Sequence, residues 1–150
     1  DLESSDVGEV SSVVKNQVKD QVPFSLKLGK LGAFPGLKNP RVLWVGVEGQ
    51  TKSLQVMQQN IDIRLQKLGY PRDDHLYSPH LTVARLKGSM PLVEKRRVVN
   101  LFYRAATSIS GLSFEVESVS IMRSTFLRTG YRYHCLALAA LGRCDSPNRV

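Results

Sequence analysis

The chain predicts an α+β fold built mainly from antiparallel sheet. Three observations carry that reading. Apolar stripes at helical spacing and short apolar runs at strand spacing follow one another as helix, strand, strand, helix, strand, helix, strand, strand. The strands come largely in neighbouring pairs, which suits hairpins better than the strict alternation of a doubly wound parallel sheet. At 150 residues the chain is long enough for a real core and reads as one domain over residues 1–141, with 142–150 as a flexible tail.

Residues 6–20 read as an amphipathic helix, because Val7, Val10, Val14 and Val18 recur at helical spacing with Lys15, Lys19 and Asp20 outside the stripe. Asp6 suits its N-cap and Pro23 ends it. Phe24, Leu26 and Leu28 then alternate with Ser25 and Lys27, the pattern of a half-buried strand. Gly29, Gly32, Pro35 and Gly36 punctuate residues 29–39, which read as a loop. Phe34 in that loop reads as a plug beneath it, with base stacking as the alternative.

Arg41 to Glu48 is the most strand-like segment. Its nearly continuous apolar run, with Trp44 as a core residue, predicts a central strand covered on both faces. Thr51 to Leu68 is the second helix, striped by Leu54, Met57, Ile61, Leu65 and Leu68 and stopped by Gly69. Asp73 and Asp74 in the loop that follows read as solvated acids rather than metal ligands. Pro91 opens a third helix, with Val98, Leu101, Phe102 and Ala105 as its stripe. Lys95, Arg96 and Arg97 read as its solvated face, with contact to RNA backbone as the alternative. Phe114 to Ile121 is strand-like, with a phase slip near Glu117 and Ser118 that predicts a bulge. Residues 124–130 read as a hairpin loop and Tyr131 to Leu138 as the closing strand.

The formal net charge of +8 favours polyanionic partners such as RNA. No apolar run approaches the roughly 20 residues of a membrane span. Two cysteines are too few for a disulfide framework, so a reducing, cytoplasmic setting is expected. Cys135 reads as a core thiol in a strand and Cys144 lies in the polar tail.

The chemistry concentrates in Pro79-His80-Leu81-Thr82-Val83-Ala84-Arg85. Read as a strand, it puts His80 and Thr82 on one face and Leu81 and Val83 on the other, packed into the core. An imidazole and a hydroxyl two residues apart suit one phosphate: the hydroxyl donates to a phosphoryl oxygen and the imidazole carries a proton. Arg85 supplies a fixed positive charge. Strict alternation sends it to the opposite face, so it reaches the site only where the strand ends or bulges.

Three segments in order, Leu31-Gly32-Ala33-Phe34-Pro35, Pro40 to Val47 and Pro79 to Arg85, make the chain similar to the RNA 2′,3′-cyclic phosphodiesterases, also called 2′-5′ RNA ligases, of the two-histidine (2H) phosphoesterase superfamily. The resemblance implies a two-lobed α+β fold, with antiparallel sheets backed by helices around a central cleft. It implies hydrolysis of 2′,3′-cyclic phosphate ends to 2′-phosphate ends by two H-x-T motifs, with no cofactor and no metal. The implied partner is RNA with such ends, or related nucleotides, and the implied state is a monomer. Of the three histidines, His75 and His134 make no H-x-T. The first motif is therefore expected upstream of Asp1, with the N-terminal elements missing. His80 and Thr82 are the expected catalytic and phosphate-binding pair, and Arg85, Arg41, Arg123 and Arg128 the expected substrate-binding residues. His134 is expected to be structural and His75 a loop or strand-edge residue. A 2′-5′ ligase using the same site, or a non-catalytic RNA-binding remnant, are the alternatives.

Overall fold

The computed structural model describes residues 6–72, 77–106, 109, 111–128 and 130–142. In chain order the elements are α1 (Asp6–Val18), β1 (Phe24–Phe34), β2 (Val42–Gly49), α2 (Thr51–Lys67), β3 (His80–Arg85), α3 (Leu92–Ala106), β4 (Ser113–Val116), β5 (Ser118–Leu127) and β6 (Gly130–Ala140). They fall into two compact units. One holds Asp1–Phe24, Lys52–His75 and Glu115–Val150; the other holds Ser25–Thr51 and Leu76–Phe114. The α+β class and the antiparallel pairing are as expected. Asp73, Asp74, His75 and Cys144 lie outside the described residues.

The second unit is organised on a sheet of order β3-β2-β1-β4. The apolar run of β2 is central, as its composition demands, but its burial alternates instead of covering both faces. Leu43 and Val45 are each 1% exposed, whereas Val42, Trp44 and Gly46 are half-buried. β1 runs on to Phe34, so Gly29 and Gly32 belong to a strand and not to a loop. The glycines there have a packing reason. A Cβ at Gly32 would fall inside the Trp44 ring, so the indole lies flat across the backbone of β1. The register between β1 and β2 shifts between Leu28 and Leu31, a bulge that absorbs the break in alternation.

Tyr103 and Lys95 tie α3 to the rest of this unit. Tyr103 donates its hydroxyl to the Leu31 carbonyl at 3.4 Å, and Lys95 Nζ donates to Asn39 Oδ1 at 3.0 Å. Lys95 is 5% exposed, which corrects its assignment to a solvated face; only Arg96 and Arg97 are exposed. Lys95 reaches inward because its long stem packs while its head finds an amide acceptor.

In the first unit, α1 packs against β6 and β5 through the predicted stripe, with Val10, Val14 and Val18 buried. α2 ends at Lys67, and Gly69 just beyond it has a φ of 91° that lets Tyr70 N–H return to the Leu65 carbonyl at 3.1 Å. Desolvation first, and then the Asp6 carboxylate that accepts its hydrogen bond, raise the Tyr70 phenol above its ordinary value. β5 and β6 pair from Ser118↔Ala140 to Leu127↔Gly130, so residues 124–127 are strand and the turn is short. The phase slip near Glu117 is not a bulge. β4 and β5 belong to different sheets, and the Glu117 carbonyl already accepts from Leu141 N–H at 2.8 Å. Cys135 is exposed on β6, not a core thiol.

Candidate active site

Among the described residues β3 pairs only with β2, at one end of the sheet order. Directly opposed residues of antiparallel strands point to the same side. The pairs Gly46↔His80 and Trp44↔Thr82 put the imidazole and the hydroxyl on the face that carries the Trp44 indole. The pair Val45↔Leu81 puts Leu81 on the other face, with buried Leu43 and Val45. That face assignment agrees with alternation; the expected burial does not. Leu81 is 48% and Val83 55% exposed, because an edge strand is covered on one flank only.

Between Thr82 and Ala84 the register slips by one residue: Trp44 opposes Thr82, but the next position, Leu43, opposes Ala84. Val83 is the extra residue of a bulge. Its effect is to restore the phase, so Val42 opposes Arg85 and the guanidinium-bearing residue falls on the His80 side. His80, Thr82 and Arg85 thus share one face at i, i+2 and i+5.

His80 is held from three directions. Nδ1 lies 2.7 Å from the Ser78 carbonyl, which can only accept, so Nδ1 carries the proton and Nε2 is the nitrogen left for chemistry. The Phe34 ring and the imidazole form a T-shaped pair, with centroids 5.2 Å apart at 76°. Trp44 follows at 6.1 Å and 60°, and Phe34 and Trp44 are themselves 5.3 Å apart. Phe34 is 40% exposed, which corrects the core plug, and Trp44 is half-buried on the site face rather than in the core. Both follow from the extension of β1, which brings Phe34 opposite Val42 on the face of Trp44. Trp44 Nε1 is enclosed and has no hydrogen-bond partner among the described residues.

Arg41 lies at the sheet end that holds Arg85. Its carbonyl accepts from Leu86 N–H at 2.8 Å and its own N–H donates to the Phe34 carbonyl at 2.8 Å. Arg123 and Arg128 stand in the first unit, on β5 and just after it. Arg123 opposes His134, which is exposed rather than part of a core. Among the described residues, no group of three or more His, Cys, Asp or Glu is placed to hold a metal ion. Ser78 and Trp44 escaped the sequence reading as site residues, and Phe34 was read there first as a core plug, with base stacking as the alternative. The signal for the aromatic pair was present: Gly32, Phe34 and Trp44 align once residues 29–34 are read as strand.

Known proteins supply the family. The model of the 2′-5′ RNA ligase superfamily matches residues 2–125, and the chain belongs to that superfamily. It is 30% identical over 136 residues to the RNA 2′,3′-cyclic phosphodiesterase of Aeropyrum pernix, covering 87% of this chain and 75% of that protein. It is 31% identical over 133 residues to the protein of the same name from Methanothermobacter thermautotrophicus, covering 85% and 69%. Among solved structures it resembles a Thermus thermophilus protein, with a TM-score of 0.68 at 21% identity, covering 94% of this chain and 73% of that one. It also resembles E. coli LigT complexed with 3′-AMP, with a TM-score of 0.66 at 20% identity, covering 93% and 71%.

Proposed function

We propose that this chain is an RNA 2′,3′-cyclic phosphodiesterase, a hydrolase that opens cyclic phosphate ends to 2′-phosphate ends. Two relatives of that name and the superfamily match support the reading. The observation that carries it is the single sheet face bearing His80, Thr82 and Arg85, with the His80 tautomer set by Ser78.

Opening the ring takes one proton from water and gives one to the departing ribose oxygen. His80 Nε2 exchanges one of these protons, accepting when neutral and donating when protonated. Thr82 donates its hydroxyl to a phosphoryl oxygen, and Arg85 offsets the charge that gathers there. Arg41, at the sheet end that holds Arg85, holds a neighbouring phosphate of the RNA, and Arg123 and Arg128 contact RNA phosphates from their own unit. The second proton transfer needs a second group, and among the described residues of this face His80 is the one imidazole. Two such groups make the rate bell-shaped in pH. The net charge of +8 makes RNA binding weaken as salt rises. We place the enzyme in the cytoplasm as a monomer, with its RNA. No helix among the described residues is long and apolar enough to cross a membrane.

The test is turnover of an oligonucleotide with a 2′,3′-cyclic phosphate end, in excess chelator. Loss of one proton-transferring group typically costs about 10²–10⁴-fold, so His80→Ala is expected to fall by that factor and Thr82→Ala by less. An unchanged rate in His80→Ala, or activity abolished by the chelator, contradicts the mechanism. Running His134→Ala beside it shows whether His134 is the second group. Product analysis on oligonucleotides with both ends defined separates hydrolysis from 2′-5′ joining.

A further inference from the structure

We propose that the sheet end at which Arg41 and Arg85 stand is a binding surface for RNA backbone, where Lys38 and Lys87 hold phosphates upstream of the cyclic phosphate end. The proposal rests on the phosphodiesterase reading and adds a direction to it: the RNA chain leaves His80 towards Arg85 and not towards Glu48.

Three observations lead there. First, two turns meet at this end. The residues between β1 and β2 carry Lys38 and Arg41, and Lys87 follows Arg85 just beyond β3. Leu86 N–H donates to the Arg41 carbonyl at 2.8 Å, so backbone joins the two turns. Residues 35–41 and 85–91 contain no Asp or Glu, and Lys38, Arg41, Arg85 and Lys87 are all exposed. The next acid along the chain, Glu94, is followed at once by Lys95, Arg96 and Arg97.

Second, a further cation beside these turns has no acid to offset it among the described residues. Lys95 is 5% exposed, and its ammonium donates to an amide, Asn39 Oδ1, at 3.0 Å. A buried ammonium with a neutral partner costs stability rather than adding it. Salt screens such a charge less than a surface one, so it adds to the field over the turn that carries Lys38 and Arg41.

Third, the opposite end of the sheet differs. There Lys27 on β1 lies 3.7 Å from the Glu48 carboxylate on β2, so its charge is already offset. A polyanion thus meets unpaired cations at one end and a carboxylate at the other.

The substrate has one way to leave. In RNA that ends in a 2′,3′-cyclic phosphate, every other phosphate lies on the 5′ side of the reacting one. Arg85 shares the face of His80 and Thr82 and so connects the reacting phosphate with the basic end. Contacts to backbone phosphates carry no sequence information, so affinity should rise with length whatever the bases.

The experiment compares 3′-UMP with a uridine tetranucleotide ending in a 3′-phosphate, an inert stand-in for the cyclic group. Calorimetry at several salt concentrations gives affinity and its salt slope. At low salt the tetranucleotide is expected to bind at least about 10-fold tighter than 3′-UMP, the worth of one charge-assisted contact. Its log–log salt slope should be steeper by about 0.7 for each further phosphate held. In Lys38→Glu/Lys87→Glu the affinity ratio should fall towards one and the slopes should converge. Lys52→Glu/Lys67→Glu, the same charge change at exposed positions of α2, should keep the ratio; circular dichroism checks that both variants are folded. A ratio near one in the wild type, or a ratio lowered as much by the α2 variant, overturns the surface. The phosphodiesterase reading fails separately: 3′-UMP then binds His80→Ala as well as the wild type, while the length ratio still answers to Lys38 and Lys87.

Discussion

One pair of strands builds two unlike surfaces. On one face of β2 and its neighbours, Leu43, Val45 and Ala33 are removed from water, and a fully buried Val or Leu side chain contributes roughly 1.5–3 kcal/mol. On the other face stand an exposed imidazole, a hydroxyl, a guanidinium, a half-open phenyl ring and an indole whose N–H lacks a partner among the described residues. An enclosed, unpaired donor costs about 1–3 kcal/mol. The first face is explained by stability; the second works against it and is explained by what it holds. The difference gives a rule for the sheet: depth marks structure on one side, and the departure from depth marks function on the other.

The contrast breaks or holds most visibly at Leu43. Leu43→Ala is expected to destabilise by about 2–5 kcal/mol, read from the denaturant midpoint. Thr82→Ala on the opposite face is expected to stay within about 0.5 kcal/mol of the wild type. Equal losses at the two positions would erase the distinction. A smaller effect is expected at Gly32, where the two roles meet. Gly32→Ala pushes a methyl into the Trp44 ring, and overpacking of that kind costs about 1–3 kcal/mol. It should also shift the Trp44 emission, and unchanged stability with unchanged emission would mean that the indole does not lie over Gly32. The smallest effect belongs to the rim. Lys27 Nζ and Glu48 Oε2 are 3.7 Å apart on side chains 50% and 45% exposed. Lys27→Ala should cost no more than about 1 kcal/mol and nothing in high salt. A larger, salt-resistant loss would assign the pair to the supporting face.

Much of the sheet was legible because its signals are local. The apolar run from Val42 to Val47 marked β2 as central, and alternation alone put His80 and Thr82 together, opposite Leu81. The helix stripes needed only a count of spacings. What escaped depended on partners far along the chain. Gly29 and Gly32 looked like loop residues because glycine is a poor strand former; that Gly32 sits under Trp44 is a fact about β2. Phe34 and Trp44 were assigned to the core because large rings usually go there, and only the register shows which face they take. Lys95 looked solvated within a charged run, and its amide partner, Asn39, is 56 residues away. The slip at Glu117 was seen but misread: composition can mark a break in phase, not that the chain changes sheets there.

The bulge at Val83 turns the motif into a question of parity. On a regular strand, positions an even number apart share a side and positions an odd number apart do not. His80 and Arg85 are an odd number apart, and the one supernumerary residue makes them even. Deleting Val83 would remove the bulge and leave histidine and arginine four apart on a regular strand, still on one side. Straightening the strand at its present length is what would turn the positive charge away from the phosphate. The five-residue spacing and the bulge therefore act together, and the bulge is part of how the active site is built.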